Sequence, residues 1–228
     1  MNITNYVYQS TSPQSEKHKL LQLMFSIIFS LLIILAAVKF TLVFKPLYYF
    51  DIEYLNIEKV SGFTKDEIVK NYDYVINYLL NPKTQEFKLP SIPYSKYGQI
   101  HFNDVKRIFV SIDILLIITG FLSGLGLFIN LKNNNLYFLK RTSSILILLP
   151  VVLITAFMIN FDTTFTIFHK IFFRNDYWIF DPELDPIIKI LPQEFFYHSA
   201  LLIVSLIIIS IIVLRTLYNK LKNKEFIL

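Results

Sequence analysis

The sequence has no cysteine, only five glycines and few charged residues for a length of 228. Without cysteine there can be no disulfide, thiolate nucleophile or thiolate metal site. The scarcity of glycine argues against Rossmann and P-loop proteins, whose phosphate loops are glycine-rich. Charged residues make up 17% of the chain and hydrophobic residues 54%, against about 25% and roughly 45–50% in soluble domains. This composition excludes a typical soluble enzyme and a disordered chain, and we expect no nucleic-acid partner.

Four apolar stretches are each long enough to cross a bilayer, which takes about 20 largely apolar residues. They cover residues 20–44, 108–131, 143–161 and 195–214. The first stretch is too long for a signal peptide and is not followed by a small-residue cleavage site. The sequence therefore predicts a mainly α integral membrane protein built on a bundle of four transmembrane helices.

The basic residues predict the orientation of this bundle. Segments 1–19, 132–142 and 215–228 carry nine lysines and arginines against two acids, whereas segments 45–107 and 162–194 carry 12 basic and 14 acidic residues. Basic residues concentrate on the cytoplasmic side of membrane proteins. We therefore expect both termini and the loop 132–142 in the cytoplasm, and a small extracytoplasmic cap built from the two outer segments on the cytoplasmic membrane.

The first outer segment contains a strong helix pattern over residues 64–80. Thr64 and Glu67 have the spacing of a capping box, and apolar side chains, Tyr72 among them, recur on one face. This face could pack on the bundle or on the membrane surface, or its tyrosines could line a substrate groove. Asn81-Pro82 ends the helix, and residues 85–89 are compatible with a short strand.

Lys39 and Asp113 are the only two charged residues within the predicted spans. Each lies five residues in from the outer end of its span, which corresponds to a depth of roughly 7 Å. Charged side chains at membrane depth are rarely left without a partner. The matching depths predict a structural ion pair between spans one and two.

Two of the four histidines are candidates for chemistry. His18 lies among lysines in the first tail, and His198 lies at the outer edge of span four as an expected interfacial side chain. His101 precedes span two and His169 follows span three. If these spans are antiparallel neighbours, both imidazoles meet at the outer face. Such a pair can act as base and acid near neutral pH, or as metal ligands.

Asp104 follows His101 by three residues, which places both on one face of a helix. Its carboxylate could orient the imidazole, as carboxylates do beside catalytic and metal-bound histidines. It could equally pair with Lys106 or Arg107, as surface charges commonly do. The sequence leaves both interpretations open.

Two stretches resemble motifs of the lipoprotein intramolecular transacylases (Lit). One is Gln-Ile-His-Phe-Asn-Asp-Val-Lys at 99–106, and the other runs from His169 through the aromatic and Asp-Pro residues to Pro192. Four spans, with a long outer loop before the second and a shorter one after the third, are similar to that family's plan. The chain departs from it at Gln99, where an acid is expected, and at Phe102, where a methionine is expected.

This resemblance implies an acyltransferase acting on diacylglyceryl-modified bacterial lipoproteins at the outer face of the membrane. The sn-2 acyl chain would move to the α-amine of the lipoprotein's N-terminal cysteine, giving the N-acyl S-monoacylglyceryl (lyso) form. The reaction would use membrane lipid and lipoprotein as partners, with neither cofactor nor metal. The implied roles are catalytic for His101 and His169 and His-orienting for Asp104; the candidates for substrate or oxyanion contacts are Asn175, Trp178 and Tyr72.

Two other functions are compatible with the residues alone. A membrane zinc hydrolase could use His101 and His169 with a carboxylate such as Asp104 or Asp162, because sites with two histidines and one carboxylate are well attested. A non-enzymatic small transporter or assembly subunit is the third hypothesis. The absence of a visible internal repeat in the sequence argues against the transporter.

Overall fold

The computed structural model describes residues 13–133 and 135–225, and within them the chain is helical with no β-strand. This confirms the predicted mainly α class. In chain order the helices are α1 (Pro13–Val43), α2 (Lys45–Tyr54), α3 (Ile57–Ser61), α4 (Lys65–Leu80), α5 (Lys96–Lys132), α6 (Tyr137–Leu146), α7 (Leu148–Ile159), α8 (Phe161–Phe172), α9 (Ile187–Ile190) and α10 (Gln193–Glu225).

Within the described residues, four segments have the length and hydropathy of membrane spans. They are Lys19–Val43 in α1, Lys96–Lys132 in α5, Tyr137–Ile159 across α6 and α7, and Gln193–Lys222 in α10. Large apolar side chains cover their outer surfaces, as exposed fractions of 74% for Ile117 and 82% for Met158 illustrate. Such exposure suits lipid rather than water. The chain is therefore a multi-pass membrane protein with four spanning segments.

Helical hydrogen bonding in the third span, Tyr137–Ile159, is interrupted at Ile147, whose backbone stays in the α-helical region. Helix α6 ends at Leu146, and α7 starts at Leu148. Pro150 lies four residues after Leu146, has no backbone N–H to donate, and its ring crowds the carbonyl of that residue. This proline accounts for the interrupted hydrogen bonding.

Helices α1 and α5 pack antiparallel in a constant register. At one end Lys39 Nζ lies 2.6 Å from Asp113 Oδ1. At the other end Gln22 Nε2 donates to Asn130 Oδ1 at 2.5 Å. Between these polar contacts Gly126 lets the ring of Phe25 approach the α5 backbone. Polar pairs at both ends and a small residue between them are typical of helix association in lipid.

The expected hairpin of spans two and three is not formed in the part of the chain that the structure describes. Helix α5 packs mainly against α1 and α4, whereas α6 packs against α1 and α10, and α7 against α10 and α8. Helix α1 therefore lies between α5 and α6 and separates the two spans. A short connection between two spans therefore does not ensure that they pack against each other.

The cap has a hydrophobic core formed by α2, α3, α4, α9 and the segment 81–95, together with Phe102 of α5. Its largest fully buried side chains include Tyr48, Tyr72, Tyr78, Phe87 and Ile187. Helix α4 starts with a capping box, in which Thr64 accepts from the Glu67 amide and the Glu67 carboxylate accepts from the Thr64 amide. The apolar face of this helix is turned into the cap, so its tyrosines pack rather than line a groove.

Residues 85–89 form no strand, contrary to the sequence expectation. The side chains of Phe87 and Leu89 are buried at 0% and 6% exposure and alternate with the exposed Glu86 and Lys88. Phe87 stacks on Phe102 of α5 with ring centroids 4.5 Å apart. The alternation thus reflects an extended segment packed on α4 and α5, without a neighbouring strand to pair with.

His198 is more than an interfacial side chain. Its Nδ1 lies 2.7 Å from Asp51 Oδ1, and the Asp51 side chain is fully buried. Burial raises the pKa of the Asp51 carboxyl, while the hydrogen bond from His198 opposes this shift. This contact connects α2 of the cap to the start of α10.

Candidate functional site

The position of His101 is set by the start of α5, which lies twelve residues before the predicted start of span two. Ser95 is the N-cap residue, and its hydroxyl accepts from the Gly98 amide at 3.0 Å. His101 follows one turn later and is 8% exposed. Its Nδ1 is buried and has no hydrogen-bond partner among the described residues.

Asp185 connects this helix start to the second outer segment. Its carboxylate accepts from the Ser95 amide at 2.7 Å and from the Ser95 hydroxyl at 2.6 Å. A side chain at Gly98 would collide with the same carboxylate. A negative charge at a helix N-terminus also interacts favourably with the free amides there. Asp185 therefore holds the helical turn that carries His101.

His169 lies in the last turn of α8. This helix begins after Asn160, whose extended backbone separates it from α7 and whose side chain accepts from the Thr163 amide at 2.7 Å. His169 Nδ1 lies 2.8 Å from the Phe165 carbonyl oxygen. Because a carbonyl only accepts, Nδ1 carries the proton, and a neutral imidazole then has its lone pair on Nε2.

The two imidazole rings lie side by side with centroids 6.1 Å apart. His169 is 9% exposed, so both rings are largely withdrawn from water. Phe173 packs against both rings, and Phe180 meets the ring of His101 edge-on. Burial lowers the pKa of His169, and its hydrogen bond to Phe165 only partly opposes this. The imidazole of His169 is accordingly neutral at pH 7.

The carboxylate of Asp104 bonds to groups other than His101. Asn175 Nδ2 donates to Asp104 Oδ2 at 3.1 Å, and Arg107 Nη1 donates to Oδ1 at 3.2 Å. Asn175 Oδ1 in turn accepts from the Tyr177 amide at 3.1 Å. Asp104 thus fixes the aromatic segment that follows α8, and the expected direct contact with His101 is absent from these bonds.

The three oxyanion candidates are in different surroundings. The indole of Trp178 stacks on His169 with centroids 4.7 Å apart, and its buried Nε1 has no partner among the described residues. The amide donor of Asn175 already serves Asp104. Tyr72 is 2% exposed in the cap core and stacks on Tyr48 at 3.7 Å. Of the three, Trp178 presents a free donor beside the histidine pair.

A metal site is not assembled around the histidines in residues 13–133 and 135–225. No group of three or more His, Asp or Glu there is close enough to hold an ion. The proposed third ligands are engaged elsewhere, because Asp162 accepts from Gln193 and Asp104 from Asn175. The donor set therefore does not fit the zinc hypothesis.

The sequence missed the role of Asp185 and the carbonyl partner of His169. In the sequence, Asp185-Pro186 indicated only a turn. Ser95 is a typical N-cap residue and could have indicated that the helix starts well before the apolar run. The carbonyl of Phe165 could not be identified, since a backbone acceptor leaves no pattern in residue types. Tertiary contacts decided both.

Comparison with known proteins identifies the chain. The family model described as lipoprotein intramolecular transacylase Lit matches residues 23–196. A search of curated protein sequences gives no match. The in meso structure of the membrane-integral Lit from Bacillus cereus is 39% identical, with a TM-score of 0.91, and the match covers 94% of this chain and 100% of that chain.

Two variants of that Bacillus cereus protein, with one histidine replaced by arginine or by alanine, match with TM-scores of 0.85 and 0.86. Both are 39% identical over 94% of this chain and cover 96% and 98% of those chains. The fold, the four spanning segments and the match to the family model all point to the same family. The chain belongs to the lipoprotein intramolecular transacylase (Lit) family, and it is an acyltransferase of the membrane.

Proposed function

We propose that this enzyme moves the sn-2 acyl chain of an S-diacylglyceryl lipoprotein to the α-amine of its N-terminal cysteine. The product is the N-acyl S-monoacylglyceryl form. The observation that carries the proposal is the buried pair of His101 and His169, with ring centroids 6.1 Å apart. Two neighbouring imidazoles can supply the base and the acid that acyl transfer to an amine requires.

The proton balance of the reaction matches two imidazoles. The amine nitrogen attacks the ester carbonyl carbon, a C–N bond forms, and the bond from that carbon to the glyceryl oxygen breaks. The nitrogen loses a proton, and the departing glyceryl oxygen gains one. The lone pair on Nε2 of neutral His169 suits proton removal, and His101 is close enough to share the return of the proton.

The substrate brings nucleophile and ester in a single molecule, so the main task of the site is to hold them together. Such positioning can lower a barrier by roughly 7–11 kcal/mol. Neither an acyl-enzyme nor an external acyl donor is needed. The described site agrees with this, because its rings form an apolar enclosure around the histidines and no cysteine exists in the chain.

The oxyanion of the tetrahedral intermediate needs a donor beside the histidines. We assign this role to Trp178, whose buried Nε1–H has no partner among the described residues and whose ring lies on His169. A donor aimed at developing charge typically contributes about 10²–10³ in rate. Asp104 and Asn175 then act as positioning residues, because their mutual hydrogen bond holds the segment that carries Trp178.

We place the histidine pair at the outer face of the cytoplasmic membrane and both termini in the cytoplasm. The excess of lysine and arginine in segments 1–19, 132–142 and 215–228 supports this orientation. Lipoproteins that carry a diacylglyceryl group would reach the site there from the outer leaflet.

Mass spectrometry of one lipoprotein's N-terminal peptide tests the proposal. Bacteria that lack any N-acylating enzyme are grown with and without this gene. We expect the peptide to keep its total mass and to change its fragmentation, because the acyl chain moves from glycerol to nitrogen. Unchanged lipid architecture with well-expressed, inserted enzyme would contradict the proposal.

Matched variants test the histidines. His101→Gln and His169→Gln each remove an acid–base group and should lower the rate by about 10²–10⁴. His198→Gln is the control, because it replaces a histidine outside this pair and its amide can still donate to Asp51. Equal rates for His101→Gln, His169→Gln and His198→Gln would overturn the assignment.

A further inference from the structure

Helix α8 carries three distinct faces. Phe165 and His169 point inward to the aromatic cluster around the catalytic pair. Thr163 and Lys170 form a polar, exposed face. The third face is apolar and exposed, with Ile167 at 52%, Phe168 at 50%, Ile171 at 71% and Phe172 at 51%.

The apolar face of α8 continues a surface that already faces lipid. Met158 and Ile159 at the end of the third span are 82% and 79% exposed, and only Asn160 separates them from α8. The inward face of α8 contacts Phe173 and Trp178 through His169 and Phe196 of α10 through Phe165, whereas its apolar third face is at least half exposed. A short helix with apolar, polar and inward faces is suited to the boundary between headgroups and acyl chains.

We propose that α8 is an interfacial helix whose face of Ile167, Phe168, Ile171 and Phe172 lies among the acyl chains of one leaflet. The partner of this face is bilayer lipid. Because His169 lies on the same helix, α8 also sets the depth of the site in the membrane. That depth is the level of glyceryl esters, which lie directly below the headgroups, and this second part rests on the proposed function.

Spin labelling tests the location of the face. The chain has no cysteine, so Ile167→Cys and Ile171→Cys each give one labelling site at an exposed position. The labelled protein is placed in nanodiscs of phosphatidylglycerol and phosphatidylethanolamine, and collisions with oxygen and with a water-soluble nickel chelate are measured. Ile117→Cys serves as the lipid-exposed control, and Glu183→Cys, 86% exposed at its side chain, as the aqueous control.

We expect the oxygen-to-nickel accessibility ratio at 167 and 171 to be lower than that at 117, which lies deeper in the bilayer. It should exceed several-fold the ratios at Lys170→Cys and Glu183→Cys. A nickel accessibility at 171 equal to that at 183 would overturn the proposal. Dipolar broadening between labels would also overturn it, since it would show a second copy of the chain against this face.

Activity in the same nanodiscs tests the second part. Ile171→Asp places a charge on the apolar face and should lower conversion of the lipoprotein at least tenfold. Thr163→Asp places the same charge on the polar face of the first turn and should leave conversion unchanged. Equal losses in both variants would contradict a role for the apolar face. A wild-type enzyme that yields no N-acyl product would instead refute the proposed function and leave the labelling result intact.

Discussion

Burial governs the chemistry of His169. Its ring lies among Phe165, Phe173 and Trp178, with 9% of the residue exposed. Water removal disfavours the charged imidazolium and lowers its pKa, while the carbonyl of Phe165 fixes the proton on Nδ1. Both effects leave a neutral imidazole at neutral pH without help from a carboxylate.

The lowered pKa of His169 makes stability depend on pH. The unfolded chain binds a proton at His169 near the ordinary value of about 6.5, whereas the folded chain binds it only at lower pH. The free energy of unfolding should therefore fall as pH drops below about 6.5 and stay unaffected by this group above it. Thermal midpoints in detergent at pH 7.5 and 5.5 check this. His169→Gln should show a smaller acid-induced fall than wild type, and identical falls would contradict the prediction.

The start of α5 shows how one element depends on another far away in sequence. Ser95 and Asp185 are 90 residues apart, yet their side chains form the N-terminal cap of the helix that carries His101. Ser95 directly precedes the helix that it caps, whereas Asp185, which holds Ser95 in place, comes from a distant part of the sequence.

Removing the charge of Asp185 tests this cap. Asp185→Asn keeps the shape but replaces a charged acceptor, which should lower the free energy of unfolding by about 1–2 kcal/mol. The turn carrying His101 should loosen, with a fall in kcat. Thermal unfolding and the rate of N-acyl product formation provide the measurements. Glu183→Gln, two residues away in an exposed pair with Lys189, is the control and should change neither quantity. Equal effects in both variants would argue against the cap.

The third span and α8 show how single residues delimit elements. Pro150 interrupts the helical hydrogen bonding between α6 and α7 within one span, and the extended backbone of Asn160 makes the break between α7 and α8. Hydrophobicity alone identifies a span of adequate length, but it does not register that break. The break at Asn160 matters because it lets α8 run in a new direction, which places the buried His169 against the aromatic cluster.

At the scale of the whole molecule, α1 is the central helix. It packs against α5, α6 and α10, and its contact with α5 extends from Gln22–Asn130 to Lys39–Asp113. Close approach at Gly126 makes this long antiparallel contact possible, since a Cβ there would lie 2.6 Å from Phe25 Cδ1. The bundle therefore depends on a small side chain at that one position.

Two glycines of α5 give a matched test of this packing. Gly126→Ala forces Phe25 to move and should lower the free energy of unfolding by about 1–3 kcal/mol relative to Gly124→Ala. A Cβ at Gly124 meets no atom within 4 Å, so Gly124→Ala should be neutral or slightly stabilising. Thermal unfolding in the same detergent measures the difference. A Gly126→Ala protein as stable as Gly124→Ala would contradict close packing at this point.

The sequence by itself determined the features that consecutive residues encode. Long apolar runs require helices in lipid because backbone polar groups must be satisfied internally, and the Thr64–Glu67 spacing specified the start of α4. The equal depths of Lys39 and Asp113 led to an expected ion pair, and their side chains lie 2.6 Å apart. The two histidines stood out because no other motif in the chain carried comparable chemistry.

Tertiary structure alone decided which elements are neighbours. His101 and His169 were expected to meet through a hairpin of two spans, but α1 separates those spans and the aromatic residues after α8 bring the rings together. Asp104 likewise bonds to Asn175, 71 residues away, rather than to the histidine one turn before it. Periodicity in the sequence specifies which face of a helix is buried. Which helix packs against that face depends on how all the helices pack together.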